Sequence, residues 1–310
     1  MLINFFSNVD TSNKLFTLPD CNPIQSLLKK ENLEESNSKD MDESLVLFYE
    51  NNKNKKVVIK AFSFQPNING YKVIIRDKKQ EIEKAIEKIN SLNEIKFIID
   101  KKDKCLFEEL KKYGEVIKVP AITELYENKL KIKAYGKEED VIIYDIFDLV
   151  KLGQVLLGKE KEGYVTVYGS AVEGKKIVAI NENTTYRDIF NLLNGNEEYL
   201  VKIINGGSLK GTPIYNLDNK VSIDSKGILF LAEKDIPSNK KFSCINCAKC
   251  LRACPENLNP AKLMDLARRN EKDEFLKFGG DKCIECGLCS FVCPSNIEVS
   301  QIIKTAKEFR

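Results

Sequence analysis

"CINCAKCLRACP" (Cys244–Pro255) and "CIECGLCSFVCP" (Cys283–Pro294) decide how the last part of this 310-residue chain is built. Both read C-x2-C-x2-C-x3-C-P, so eight of the ten cysteines fall into one pattern written twice. Three chemistries compete for these thiols. Disulfides need an oxidising compartment, and no export signal is legible in the sequence. Zinc accepts CxxC pairs, but it needs four ligands per ion and no proline, which leaves the repeat unexplained. A 4Fe–4S cubane takes one thiolate per iron. Three cysteines at i, i+3 and i+6 on a tight loop cap three corners, and the fourth, just before the proline, lies on chain leaving the loop. In two-cluster ferredoxins that fourth cysteine ligates the other cluster. The expectation is two 4Fe–4S clusters with crossed ligands. Cys244, Cys247, Cys250 and Cys293 hold one; Cys283, Cys286, Cys289 and Cys254 hold the other. Two zinc ions, or one cluster and a zinc, are the competing occupants.

The residues between the ligands are informative. Ala248, Gly287 and Leu288 are small or apolar, so backbone N–H groups can approach the sulfides, which raises a cluster's reduction potential. The spacer between Cys254 and Cys283 includes "NLNPAKLMDLARRN", in which Asn259 suits an N-cap and Pro260 the first helical position. The chain's last stretch, "VSQIIKTAKEF", puts Val299, Ile302, Ile303, Ala306 and Phe309 on one helical face. Residues 241–310 therefore read as a helical two-cluster ferredoxin-type domain. Both thiolate sets are complete, so the clusters pass single electrons and catalyse no bond chemistry themselves. Cys21 and Cys105 stand outside the pattern, Cys105 reading as a small buried hydrophobe.

The sequence has no histidine, which excludes His-ligated haem, Rieske centres, His-containing zinc sites and Ser-His-Asp triads. The net charge is +3, with 49 basic residues interleaved among 46 acidic ones, so the lysines read as solvated faces and no nucleic acid partner is expected. No apolar run reaches the ~18 residues of a spanning helix. The N-terminus lacks a basic n-region and a cleavage site, so a cytoplasmic chain without a transmembrane helix is expected.

Upstream of the cysteines the periods change along the chain. Residues 1–43 are polar and read as weakly ordered. Over 44–135, "SLVLFYE", "KVVIKAFSF", "YKVIIRD", "EIKFIID" and "EVIKVP" read as strands, with helices over "KKQEIEKAIEKINSLN" and over "KCLFEELKKYG", the latter ending at Gly114. That order is the βαβ signature of a parallel sheet. "LKIKAYG" and "VIIYDI" read as further strands, and "FDLVKLGQVLLGK" as a helix closed by Gly158. "GYVTVYGSAVEGKKIVAI" reads as a hairpin, followed by a helix capped by Thr184 or Thr185. With "LVKIINGGSLKGTPI" this makes residues 136–211 an α+β unit of the β-grasp kind, and 212–240 a linker. The fold class is α/β plus α+β.

The second motif, with its continuation "PSNIEVSQIIK", resembles the RnfC family, one of the subunits of the Rnf ion-translocating electron-transport complex. "GYVTVYGSAV" resembles the VTVTG segment of that family's soluble-ligand-binding β-grasp (SLBB) domain. "INGGSLKG", with Gly206, Gly207 and Gly211, resembles its GGPMMG turn. The resemblance runs from about residue 45 to 310. It implies a partial Rossmann-like α/β region and a peripheral subunit on the cytoplasmic face of the membrane. Other Rnf-like subunits would be its partners, and ferredoxin or flavodoxin its carriers. It also implies FMN and NADH, but the family's GGAGFPT loop is not found. The first 43 residues contain two prolines and no glycine. Where the family carries an acidic ECEP stretch this chain has "IKAFSFQP", with Ser63, Phe64 and Gln65. A phosphate cradle needs glycines for its backbone N–H groups. The expectation is a chain truncated at the N-terminus and lacking the glycine-rich loop, with an α/β region that keeps the fold without the nucleotide site.

The leading reading is an electron-transfer subunit rather than a stand-alone enzyme, with Lys249, Arg252 and Lys282 near the ligands able to attract an acidic carrier. An NADH-oxidising flavoprotein with a diverged site and a cluster-stapled regulatory or assembly protein are the alternatives.

Overall fold

The computed structural model describes residues 27–28, 52, 54–91, 93–236 and 242–308. Most of the segment expected to be weakly ordered, the strand expected at 44–50, and Cys21 lie outside the described residues.

A four-stranded parallel sheet is built from β2 (Lys56–Lys60), β3 (Ile95–Asp100), β4 (Glu115–Val119) and β5 (Val141–Asp145), in the order β4-β3-β2-β5. Alternation sets its two faces. Val57, Ile59, Phe97 and Ile99 point into one core; Val58, Ile98 and Val141 point into the other. The first core is covered by α1 (Tyr71–Asp77), α2 (Lys79–Asn90), α3 (Lys104–Leu110) and α5 (Ile146–Leu156), the second by α4 (Glu127–Tyr135). Helices α2 and α5 touch closely enough to need Gly153. A Cβ there would lie 2.7 Å from the Glu81 Cα.

The second sheet has six strands in the order β1-β7-β6-β10-β8-β9. They are β1 (Leu27–Leu28), β6 (Gly163–Tyr168), β7 (Lys176–Ile180), β8 (Lys202–Asn205), β9 (Thr212–Ile214) and β10 (Gly227–Leu231). Strands β6 and β7 form the expected antiparallel hairpin, and β10 runs parallel to β6. Helix α6 (Tyr186–Leu192) starts at Thr185, whose Oγ1 accepts from the Asp188 N–H at 3.1 Å while Asp188 accepts from the Thr185 N–H at 3.0 Å. Val165, Val167, Val178 and Phe230 face α6 and its Phe190. Tyr164, Ile177 and Ala179, on the other face, join the core of the parallel sheet. The two sheets therefore share one apolar interior through α1 and α5.

Three expectations are corrected here. "YKVIIRD" is helix α1 and not a strand. Its β-branched run favours a strand locally, but Tyr71, Val73, Ile74 and Ile75 are all buried between the two sheets, and that burial outweighs propensity. "LKIKAYG" belongs to helix α4. A strand would bury Leu130, Ile132 and Ala134 together, whereas Ile132 is 45% exposed and only the i, i+4 pair Leu130 and Ala134 faces the sheet. The third correction concerns boundaries. β5 and α5 complete the parallel-sheet unit, so that unit runs past residue 135. The stretch 212–240 is no linker, because it supplies β9 and the central strand β10. Gly158 closes α5 with φ 67° as expected, while α3 ends at Leu110, before Gly114.

The cysteine-rich end is helical: α7 (Lys249–Ala253), α8 (Pro260–Arg268), α9 (Lys272–Lys277), α10 (Leu288–Phe291) and α11 (Val299–Glu308). Asn259 caps α8, accepting from the Lys262 N–H at 3.1 Å. Leu263, Met264 and Leu266 of α8 pack with Val299 and Ile303 of α11.

Candidate metal centre

The two cysteine motifs fold as two copies of one loop. Each has three left-handed residues at the same offsets from its first cysteine: Asn246, Ala248 and Asn257 in the first copy, Glu285, Gly287 and Asn296 in the second. Left-handed alanine and glutamate cost free energy, and the recurrence shows what they secure. The chain is wound so that amides converge on the thiols. Cys250 Sγ receives hydrogen bonds from the Leu251 and Ala261 amides, Cys283 from Glu285, Cys286 from Leu288 and Cys289 from Ser290.

The eight thiols are shared between two hollows. One is lined by Cys283, Cys286, Cys289 and Cys254. The other is lined by Cys244, Cys247, Cys250 and Cys293. Each motif thus contributes three thiols to its own hollow and the fourth to its neighbour's. The thiols ring these spaces instead of meeting at a point. Among the described residues, no three Cys, Asp or Glu side chains gather tightly enough for a single ion. Two four-thiol cradles, lined largely by apolar side chains and fringed by amide donors, suit a pair of cubanes in ligand number and type.

Burial governs the thiols of the apoprotein. Burial, followed by the neighbouring Cys286 and Cys283 sulfurs, pushes Cys289 up to about 12. Burial likewise raises Cys250, Cys283 and Cys286, against the pull of their amide donors. Thiols held neutral in this way must lose protons to bind iron, so loading is coupled to proton release.

The hollows differ in their surroundings. Cys254, Cys286 and Cys289 are buried and Cys283 half-buried, whereas Cys244 is exposed and Cys247, Cys250 and Cys293 are half-buried. The second loop is held from several sides. Lys307 donates to the Cys283 carbonyl at 2.7 Å and to Glu285 Oε1 at 2.8 Å, tying α11 to the left-handed turn. The Ser300 N–H donates to Ser290 Oγ at 2.8 Å. The turn between β8 and β9 presses on Gly287. A Cβ there would lie 3.1 Å from the carbonyl carbon of Leu209. Leu209 is itself held by Gln65, whose Oε1 accepts from the Leu209 N–H at 3.0 Å. Tyr126, at the start of α4, lies beside Glu256, Cys286 and Cys254; burial first, then Glu256, pushes its phenol up. The first loop has the Phe242 N–H to Ser295 carbonyl bond, 3.1 Å, and Arg252 donating to the Cys247 carbonyl at 3.2 Å.

Sequence reasoning named the eight thiols and missed Leu209, Tyr126 and Lys307, which reach the second loop from distant chain positions, and the part Gln65 plays in holding Leu209. A nearer signal was available: both motifs continue as Cys-Pro-x-Asn, and Asn257 and Asn296 are the third pair of left-handed residues. Cys105 sits half-buried on α3, away from both hollows.

At the C-terminal ends of β2 and β5 lies a compact charge network. Lys60 pairs with Glu124 and with Asp145, the latter at 3.5 Å, and Lys226 reaches Asp145 at 2.5 Å. Burial alone would lower Lys60, but Asp145 and Glu124 outweigh it and raise it. The Phe64 N–H donates to Glu124 at 2.5 Å.

Residues 243–297 match the 4Fe–4S dicluster domain family. The RnfC-type subunit of the proton-translocating ferredoxin:NAD(+) oxidoreductase complex of Clostridium ljungdahlii is 36% identical over 125 residues, 40% of this chain and 26% of that one. The chain resembles the RnfC subunits of ion-translocating oxidoreductase complexes. The corresponding subunit of Buchnera aphidicola is 26% identical over 204 residues, 63% of this chain and 40% of the relative. That of Methanosarcina acetivorans is 30% identical over 122 residues, 39% of this chain and 26% of its own. The aligned part thus spans between about a quarter and two fifths of these relatives. In overall fold the chain is similar to a chain of an NAD+-reducing [NiFe]-hydrogenase in the H2-reduced state, with TM-score 0.54 and 8% identity over 86% of this chain and 56% of that one. Among the described residues, no helix is long and apolar enough to cross a membrane.

Proposed function

We propose that this chain is the iron–sulfur electron-transfer subunit of an RnfC-like, membrane-associated oxidoreductase complex, passing single electrons through two 4Fe–4S clusters. The observation that carries the reading is the crossed division of eight thiols between two hollows. Cys244, Cys247, Cys250 and Cys293 would hold one cluster, and Cys283, Cys286, Cys289 and Cys254 the other. Bound there, the clusters supply reversible one-electron storage. The chain's own part is to complete both thiolate sets and to exclude most water from the second. The Leu251, Ala261, Leu288 and Ser290 amides stabilise negative charge on the sulfurs.

In this reading the parallel sheet is a partial Rossmann-like region and the six-stranded unit an SLBB-like β-grasp domain, both acting as scaffold. The order β4-β3-β2-β5 puts a topological switch point between β2 and β5, where such sheets bind ligands. Lys60, Glu124, Asp145 and Lys226 fill that point with mutual ion pairs, which supports a chain that holds neither FMN nor NADH there. The partners would be the other subunits of the complex, on the cytoplasmic face of the membrane.

The test is anaerobic reconstitution of the full chain, with iron and sulfide analysis and EPR of the dithionite-reduced protein. Cys254→Ala and Cys286→Ala are expected to lose the same cluster signal, and Cys293→Ala and Cys247→Ala the other. If Cys254→Ala behaves like Cys247→Ala, the crossed assignment is wrong. Zinc in place of iron, or clusters that cannot be reduced at cellular potentials, would sink electron transfer altogether. Stoichiometric FMN with NADH-dependent dye reduction would restore the flavoprotein alternative.

A further inference from the structure

The duplicated loop is its own control. Ligand type, spacing and left-handed turns are the same in both copies, so a difference between the two centres comes from what packs around them. Position by position, from the first to the third cysteine of each motif, the second copy is the more buried. Gly287 of the second copy lies against the β8–β9 turn, while the matching Ala248 is half-buried. That turn is held from a distant chain position. Gln65 Oε1 accepts from the Leu209 N–H at 3.0 Å, and a Cβ on Gly207 would lie 2.9 Å from the same oxygen. The residues flanking Gln65 are fixed in turn. The Tyr168 hydroxyl donates to the Pro66 carbonyl at 3.2 Å, and the Phe64 N–H donates to Glu124 at 2.5 Å. Charge differs in the same sense as burial. Glu256 and Glu285 line the second hollow, Glu285 being paired with Lys307. Lys249 lines the first, and among the described residues no carboxylate does.

We propose that the two centres are unequal. The one held by Cys283, Cys286, Cys289 and Cys254 has the lower reduction potential, and Gln65 is the positioning residue that keeps it low by holding Leu209 against Gly287. Reduction adds one negative charge to a centre. Exclusion of water and nearby carboxylates both oppose that charge, and a nearby ammonium favours it. Amide donors, which act the other way from burial, are present in both loops. The inference rests on the electron-transfer reading and adds a direction to it. One electron leaves the enclosed centre, which is oxidised by one unit, and enters the open centre, which is reduced by one unit. No proton or bond changes hands.

The test is an EPR-monitored redox titration of the full chain loaded with both clusters, with Cys286→Ala and Cys247→Ala marking which wave belongs to which centre. The parent should give two one-electron waves, the lower being the one lost in Cys286→Ala. Gln65→Ala removes the acceptor of the Leu209 N–H. It should raise the lower wave by at least threefold in the reduced-to-oxidised ratio at fixed potential, about 28 mV, and leave the upper wave within twofold. Gln65→Glu keeps an acceptor oxygen and should hold the lower wave at or below its parent value. Hydrogen–deuterium exchange should quicken over residues 207–211 and 285–290 in Gln65→Ala and stay at the parent rate in Gln65→Glu. Glu256→Gln removes a charge without freeing the turn, so it should raise the lower wave with exchange unchanged; it decides the ordering should Gln65→Ala fail to load. A lower wave that belongs to the Cys247 centre would overturn the proposal, as would a lower wave that either variant leaves in place. So would a Gln65→Ala shift shared by both waves or reproduced by Gln65→Glu, or exchange that Gln65→Ala does not alter. Two clusters that dithionite reduces at one common potential would defeat this inference and leave electron transfer standing. Clusters that no low-potential reductant reduces would defeat the electron-transfer reading, and this inference with it.

Discussion

Replacing Gly287 by alanine tests whether the second cysteine loop and the β8–β9 turn form one packed unit. Gly287 has φ 81°, a conformation that costs an L-residue about 1–2 kcal/mol. The motif tolerates that cost, because Ala248 holds the matching place in the first loop at φ 58°. The distinction lies outside the loop. An ideal Cβ on Gly287 is 3.1 Å from the Leu209 carbonyl carbon and 3.3 Å from its Cα. Carbon atoms rest at about 3.5–4.0 Å. The obstacle is main chain, so no change of rotamer clears it and one of the two segments must move. Overpacking of this kind costs about 1–3 kcal/mol. Gly287→Ala should therefore lose about 2–5 kcal/mol in all, while Ala248→Gly should change stability by no more than about 1 kcal/mol. Thermal unfolding of the cluster-loaded chain, followed by loss of cluster absorbance and by circular dichroism, reads both. Gly287→Ala should lower the midpoint by roughly 5 °C or more and bleach the second cluster first. A midpoint unchanged in Gly287→Ala, or lowered equally by both variants, would refute the reasoning. So would rescue by Leu209→Ala, since trimming that side chain leaves the carbonyl in place.

Gly153→Ala should cost about 3 kcal/mol, because the new methyl meets the Glu81 backbone; the check is a lower urea midpoint with an unchanged slope. Asp145→Ala removes both the N-cap of α5 and a buried partner of Lys60 and Lys226, with an expected loss of about 3–5 kcal/mol. Asp145→Asn keeps the cap and should lose less by about 1 kcal/mol in the same denaturation assay. The apoprotein should become less stable at alkaline pH. Cys289 is held neutral up to about 12 in the folded chain, against 9.0 for a free thiol. Both states are protonated below that lower value; above it the unfolded state ionises first. Stability should then fall by up to about 1.4 kcal/mol per pH unit for this thiol and level off above the folded value. A denaturation series between neutral and alkaline pH reads the slope, and a stability that rises over that range would contradict the burial argument.

Elements set by local pattern were legible in the chain. β2, β3 and β5 alternate or run apolar between polar ends, and α2 places Ile82, Ile86 and Ile89 on one face. The caps at Thr185 and Asn259 follow from side chains that reach only their own first turn. The reading failed where a segment's neighbours are remote. "YKVIIRD" has an apolar β-branched run, Val73–Ile75, between charged residues, which suits a central strand or one buried turn of helix. The choice fell to the gap between two sheets, where Tyr71 meets Phe147 with ring centroids 5.2 Å apart. In "LKIKAYG" alternation and the i, i+4 pair are the same letters, and only exposure of Ile132 separates them. Strand β10 looked like connecting chain because its partners, β6 and β8, lie far back in the sequence.

The cysteine site divides in the same way. Ligand number, ligand type and the duplication of the loop are properties of spacing, since three thiols at i, i+3 and i+6 on one tight turn have few arrangements. The sequence by itself therefore determined an iron–sulfur reading with two four-thiol sets. Which hollow is shielded and which is open was decided by tertiary structure. Leu209, Gln65 and Tyr126 come from other units of the fold, and no spacing rule links them to Gly287 or Cys254. Local geometry is written in neighbouring residues, whereas enclosure depends on how separately folded surfaces meet.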